Sequence, residues 1–270
     1  MKFDLVSDLH IDIWDPELNT TWVNNSQNDI LVIAGDTSDN LDLTADYINY
    51  LCAEYKQVIV LDGNHDNQPQ DQKPWQCDLN LDLDASTIAW NKTVAKTKAH
   101  NLSLEPIIIG DVAFVGQNGW WTYDFGEPKI DRQISIDHYA KKAAKWGWEY
   151  NWQHIREHAI AQADKLTEWV TELQNNPLVK HIVVVTHTLP HYDTIVWKNS
   201  ANVYGGLYGN RYMYRVKEAD TLGKISTWCF GHDHPGNEVI KPGIRYISNP
   251  RGRPDDYNKE NYSPLEIEIG

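Results

Sequence analysis

Cysteine is scarce: Cys52, Cys77 and Cys229 are the three in a chain of 270 residues. An odd number without paired spacing excludes a disulfide framework, and the lack of a CxxC pair excludes a thiolate zinc site. A reducing cytoplasm is the compartment this implies. Long apolar runs are also missing. Stretches such as IVVV at 182–185 have strand length, short of what a bilayer requires, so no membrane partner is expected. The opening MKFDLVSD is broken by Asp4 and Asp8 and reads as a strand, not a leader. Positive charge is short, with 24 Lys and Arg against 38 Asp and Glu and a formal net charge of -14. That weighs against a general grip on long nucleic acid. Linkers, repeats and low-complexity segments are absent, so residues 1–270 read as one domain.

What is present alternates between strand and helix. DILVIA at 29–34 and QVIVL at 57–61 are continuous apolar runs, as in strands buried on both faces. Between them Leu41, Ala45, Ile48, Cys52 and Tyr55 recur at helical spacing, with Asp39 as the expected cap. Hairpins are expected at Gly110-Asp111 and at Pro242-Gly243. A helix is expected from Ile155, ending before Asn176-Pro177, then strands at 181–185, 226–230 and 265–269. This is α/β patterning. Phenylalanine is rare, four residues, yet there are 12 Trp and 14 Tyr. Several of these, Trp120, Trp121, Tyr123, Trp146, Trp148, Tyr150 and Trp152, crowd an aperiodic insertion around 116–153. They serve either to pack that insertion or to form a stacking wall. Residues 188–212, rich in Tyr, Gly and Asn, read as an ordered loop.

The polar clusters sit at the carboxyl ends of expected strands: Asp8-Leu9-His10, Gly35-Asp36, Gly63-Asn64-His65-Asp66, Thr186-His187 and Gly231-His232-Asp233-His234. Ligands bind beyond such ends in α/β sheets. Each cluster alone is an ordinary turn or a structural histidine; five together describe a metal site. Carboxylates, imidazoles and one amide oxygen suit Mn, Fe, Zn, Ni or Co. Asp8, His10, Asp36, Asn64, His187, His232 and His234 are too many for one ion, so two divalent metal ions are expected. Asp36 is the natural bridge, because Gly35 allows close approach. Two such ions about 3.5–4 Å apart activate a bridging hydroxide for attack at phosphorus. His65 then projects beside the metals as acid or charge stabiliser, with Asp66 orienting its ring.

The run DLH, GD, GNHD, TH and GHDH resembles the calcineurin-like metallophosphoesterases, over residues 8–234. The resemblance implies a β-sandwich flanked by helices with a dinuclear centre. One metal would take Asp8, His10, Asp36 and His234, the other Asp36, Asn64, His187 and His232, with His65 matching the family's catalytic histidine. The protein-phosphatase branch reads GDxVDRG; here GDTSDN lacks that arginine. The chain is more similar to small bacterial and phage phosphohydrolases and phosphodiesterases.

A small phosphorylated substrate is therefore expected, with a nuclease of the same fold as the alternative and a silent scaffold ranking below both. Lys141, Lys142 and Lys145 are the densest basic cluster. Trp120, Trp121 and Tyr204 are expected to wall the site. Arg251 and Arg253 either touch phosphate or form surface ion pairs. The missing arginine, and an Asp39 that would repel a dianion, predict that a diester or activated small phosphate is preferred to a phosphoprotein.

Overall fold

Each expected strand has two apolar faces, and two sheets with helices outside them bury both. In the computed structural model, residues 1–23, 28–67, 82–125, 132–145, 150–196, 205–257 and 261–270 are described. Cys77, Trp146, Trp148 and Tyr204 lie outside them. The first sheet runs in the order β11 (Leu265–Glu268), β1 (Lys2–Val6), β2 (Ile30–Ala34), β3 (Gln57–Leu61), β4 (His100–Asn101). The second runs β5 (Ile107–Ile109), β6 (Val112–Gln117), β7 (His181–Thr186), β8 (Ile225–Phe230), β10 (Ile244–Ser248), β9 (Glu238–Lys241). The inner strands of both sheets are parallel, and β11, β5 and β9 are antiparallel edges.

Strand β2 shows how the sequence sets the layers. Val32 and Ala34 join Phe3, Leu5, Phe114 and Val183 in the core between the sheets. Leu31 and Ile33 point the other way, onto α2 (Leu41–Glu54) and α3 (Leu83–Val94) through Ile48, Leu51 and Trp90. Each such side chain gains about 1.5–3 kcal/mol by leaving water. A one-residue slip would exchange the faces and is strongly resisted. The outer face of the second sheet packs on α5 (Trp152–Gln174) and α6 (Tyr214–Ala219) through Ala163, Leu166, Val170 and Val216.

Some local expectations shift. The cap of α2 is Asn40, whose side chain accepts from the Asp42 and Leu43 amides; Asp39 is used elsewhere. Helix α5 begins at Trp152, with Asn151 accepting from the His154 amide. The stretch read as aperiodic contains helix α4 (Arg132–Ala144). With Trp120, Trp121, Tyr123 and Tyr150 it builds a separate buried cluster. Two short helices, α1 (Leu18–Thr21) and α7 (Pro254–Tyr257), complete the described α-helices.

Candidate metal centre

Strands β1, β2 and β3 end beside the ends of β7 and β8, so the five polar turns meet where the two sheets abut. The turns are sharp. Asp8, His10, Asp36 and His232 hold φ of 49°, 43°, 55° and 70°, a left-handed conformation costing a non-glycine residue about 1–3 kcal/mol. Strain concentrated on four candidate ligands marks a built site. The glycines act by absence of a side chain. A Cβ on Gly63 would stand 2.1 Å from Asp36 Oδ1, and one on Gly35 would stand 2.5 Å from His187 Nδ1. Gly35 thus admits His187, and it is Gly63 that admits Asp36, contrary to the expected pairing of Gly35 with Asp36.

All seven expected ligands converge. Ligand atoms of Asp8, His10 and His234 lie within 4.8 Å of one another, as do those of Asp8, Asp36 and His187. Asp8 belongs to both groups, and Asp36 Oδ2 stands 3.2 Å from His187 Nε2 in its own group and 3.9 Å from His10 Nε2 in the other. Its Oδ1 accepts from the His65 amide at 2.8 Å. Both Asp8 oxygens accept from the His232 amide, at 3.0 and 3.1 Å.

Outer partners set the ring tautomers. His187 Nδ1 donates to the Ala34 carbonyl (2.9 Å), and His232 Nε2 to the Leu207 carbonyl (3.0 Å). His234 Nδ1 donates to Asp256. The inward nitrogens are left as lone pairs, and they face other lone pairs. His187 Nε2 and His232 Nδ1 each lie 3.0 Å from Asn64 Oδ1. His10 Nε2 and His234 Nε2 lie 3.3 Å apart. A cation between them would relieve these contacts, and the mixed carboxylate, imidazole and amide donor set fits divalent metal ions.

The electrostatics agree. Burial raises the Asp8 carboxyl. Burial also works upward on Asp36, but His187, His65 and His10 outweigh it and hold the group well below the usual range. Burial would lower His187, yet Asp36 and Asp8 push it to about 9; the field there holds a positive charge, which a metal would displace as a proton. Burial, with His187, keeps His232 neutral by lowering it to about 3.

Asp66 does not orient His65. Its buried carboxylate accepts from the amides of Thr37 (3.0 and 3.2 Å), Ser38 (3.2 Å) and Gly63 (2.8 Å). It staples the Asp36 loop to the Asn64 loop. The partner of His65 is Asp39, 2.5 Å from Nδ1. On the ring's other side Arg253 Nη2 donates to Nε2 at 3.1 Å. Asp39 thus faces the site, but in a pair with His65, and Arg253 supplies the guanidinium missing from the GDTSDN loop. Arg251 is 1% exposed, donates to Asn19 Oδ1 (2.6 Å) and the Leu18 carbonyl (3.0 Å), and lies over Trp14; it is structural. Among the described residues neither arginine forms a surface ion pair.

The centre opens into a cleft of about 320 Å³, walled by Tyr139, Tyr208, His65, Arg253 and Asp256. Trp120 and Trp121 are 1% and 2% exposed and turn no face to it. They pack the insertion, and Trp121 stacks on the back of His232 at 5.9 Å and 27°. The wall residues Tyr139, Tyr208 and Asp256 were not read from the sequence. Asp256, three residues past Arg253 in GRPDD, was the one with a local signal.

Residues 1–236 match the family model of the calcineurin-like phosphoesterases. No curated protein sequence matches the chain. Among solved structures, the chain is similar to the phosphopantetheinyl hydrolase of Mycobacterium tuberculosis, at 15% identity and a TM-score of 0.73, covering 100% of this chain and 96% of that one. It is also similar to a dimetal phosphatase from Danio rerio, at 13% identity and a TM-score of 0.47, covering 92% and 86%. The helices outside two sheets, the lone pairs that face one another across the strand ends and the family match agree: the chain belongs to the calcineurin-like phosphoesterases, as a metal-dependent phosphoesterase that uses two divalent metal ions.

Proposed function

We propose that the chain hydrolyses a small phosphorylated molecule by direct displacement at phosphorus, with Asp36 as the bridging ligand between the two ions. The observation that carries this is the cleft itself. Four of the candidate ligands, Asp36, Asn64, His232 and His234, line it with His65 and the Arg253 guanidinium around about 320 Å³, near the lower end of small-molecule sites. When bound, two divalent ions activate a water between them and polarise the phosphoryl oxygens. Serine, threonine and cysteine are absent among the described residues lining the cleft, which supports attack by water over a covalent enzyme intermediate. Asp39 holds the Nδ1 proton of His65, leaving Nε2 to serve the leaving oxygen. Arg253 swings from Nε2 to the phosphoryl oxygens, where a guanidinium fork matches two of them. Manganese is the first metal to try, and a reducing cytoplasm is the compartment proposed from the scarcity of cysteine.

Arg253 changes the expected substrate preference. A guanidinium that reaches the phosphoryl oxygens favours the dianionic monoester, and the small cleft leaves little room for a second ester group. The test is the kcat/KM ratio for monoester and diester forms of one chromogenic leaving group, with Mn, Zn, Ni or Mg. The monoester is expected to lead in wild type, and Arg253→Ala should erase most of that lead. A strong diester preference overturns this assignment. A phosphopantetheinyl ester belongs in the panel, because the Mycobacterium tuberculosis protein is titled a hydrolase of that group.

One observation favours the nuclease alternative. Lys141 and Lys142 lie on α4 beside Tyr139, with the Lys142 ammonium 5.0 Å from the ring centre. A cation and an aromatic ring at a cleft wall suit a single strand. Efficient degradation of single-stranded oligonucleotides would establish that reading; duplex DNA should be a poor substrate under both.

A further inference from the structure

One carboxylate ties the floor of the metal cleft to its wall. Asp256 lies in the short helix α7 and lines the cleft. Its Oδ2 accepts from two donors, His234 Nδ1 and the Arg253 amide, the latter at 2.8 Å. The Asp256 amide returns a bond to the Arg253 carbonyl at 3.1 Å, so the turn closes on itself. An acidic residue early in a helix ordinarily reaches back to the amide before it, and that bond alone would make Asp256 a cap. The shared oxygen makes it more, because its second donor is the ring of a candidate metal ligand.

The same turn is pinned to another ligand. The Gly252 amide donates to the Asp8 carbonyl at 2.9 Å, and the Trp14 indole donates to the Gly252 carbonyl at 2.9 Å. Gly252 holds a φ of 73°. A Cβ there would stand 3.2 Å from Asp256 Oδ2 and 3.3 Å from His234 Cβ, so the chain runs against His234 only because this residue lacks one. Asp8 and His234 belong to one ligand group, with His10. The backbone that carries Arg253 is therefore fastened to two of the three residues of that group, and its guanidinium reaches His65.

We propose that Asp256 is a positioning residue with two duties. It fixes the His234 ring for the ion taken by Asp8, His10 and His234, and it fixes the turn that aims Arg253 at the phosphoryl oxygens. Binding of that ion and placement of the guanidinium are thereby coupled, and coupling of this kind is reciprocal. The second duty rests on the phosphate role proposed for Arg253; the first does not.

Calorimetric titration of the metal-free chain with Mn reads the first duty. Asp256→Ala should weaken one of two ions about tenfold to a hundredfold, the loss that follows when a metal-bound imidazole loses its outer partner, and leave the other unchanged. Asp256→Asn keeps an acceptor oxygen without the charge and should fall between wild type and Asp256→Ala. Asp255→Asn removes a charge from the same turn and should change neither ion. Affinity for inorganic phosphate at saturating Mn reads the second duty. Asp256→Ala and Arg253→Ala should each weaken phosphate, and the double variant should be no weaker than Arg253→Ala, because one residue acts through the other. Weakening of both ions or of neither by Asp256→Ala, an equal loss in Asp255→Asn, or additive losses of phosphate overturns the proposal. Phosphate affinity indifferent to Arg253→Ala, with one ion still weakened by Asp256→Ala, would sink the phosphate role of Arg253 and uphold the metal duty of Asp256.

Discussion

The floor and the walls of the metal cleft were made by different means. The floor comes from five strand ends, each an apolar run, a tight turn and one or two ligands. Asp8, Asp36 and His232 all stand at such ends with positive φ. The walls come from α4, the run at 205–213 and the turn before α7, which no single pattern announces. Floor residues are fixed by sheet geometry and hold charge; wall residues are placed by long-range packing. On the proposed function, chemistry belongs to the floor and selectivity to the walls.

Removing metal should separate the two most strongly. Chelation is expected to abolish phosphoester hydrolysis, and a divalent ion should restore it, measured by release of a chromogenic alcohol. Recovery without added metal would place the chemistry outside the floor. His65→Ala comes next, with an expected loss of about a hundredfold to ten-thousandfold in kcat and metal content unchanged; if metal is lost as well, His65 is a ligand.

Asp39 and Asp66 sharpen the contrast, since both are carboxylates of the floor loops. Asp39→Asn should lower kcat by about tenfold to a hundredfold, as removal of an outer partner from a working imidazole does, with little change in melting. Asp66→Ala should instead destabilise by about 3 kcal/mol or more, leaving three backbone amides without their acceptor. In calorimetry that is a fall of roughly 6–12 °C. The reverse pattern would return Asp66 to the orienting role. The smallest effect is expected from Trp121→Phe, which keeps a ring behind His232 and should cost less than about tenfold in kcat/KM.

Legibility in the sequence followed the same division. Asp36, Asn64, His187 and His232 could be read because each follows a strand of five or six residues whose burial is nearly complete. The partner of His65 could not. Asp39 and Asp66 both lie within reach along the chain, and only the wrapping of the Thr37 and Ser38 amides around Asp66 decides between them. Arg253 meets His65 across 188 residues of sequence, beyond any local signal. Helix α4 escaped because its buried face is thin: Ser135, Ile136 and Ala143 alone are buried along 13 residues. The tryptophans misled in one respect, since Trp120 and Trp121 support the site from behind and do not line it.

The central claim is that the strand ends hold two ions with Asp36 between them. Its most direct measurement is the metal content of saturated, desalted protein by mass spectrometry, for wild type and Asp36→Asn. Two ions per chain in wild type and at most one in the variant is the predicted result. One ion or fewer in wild type, or two in both proteins, would contradict it.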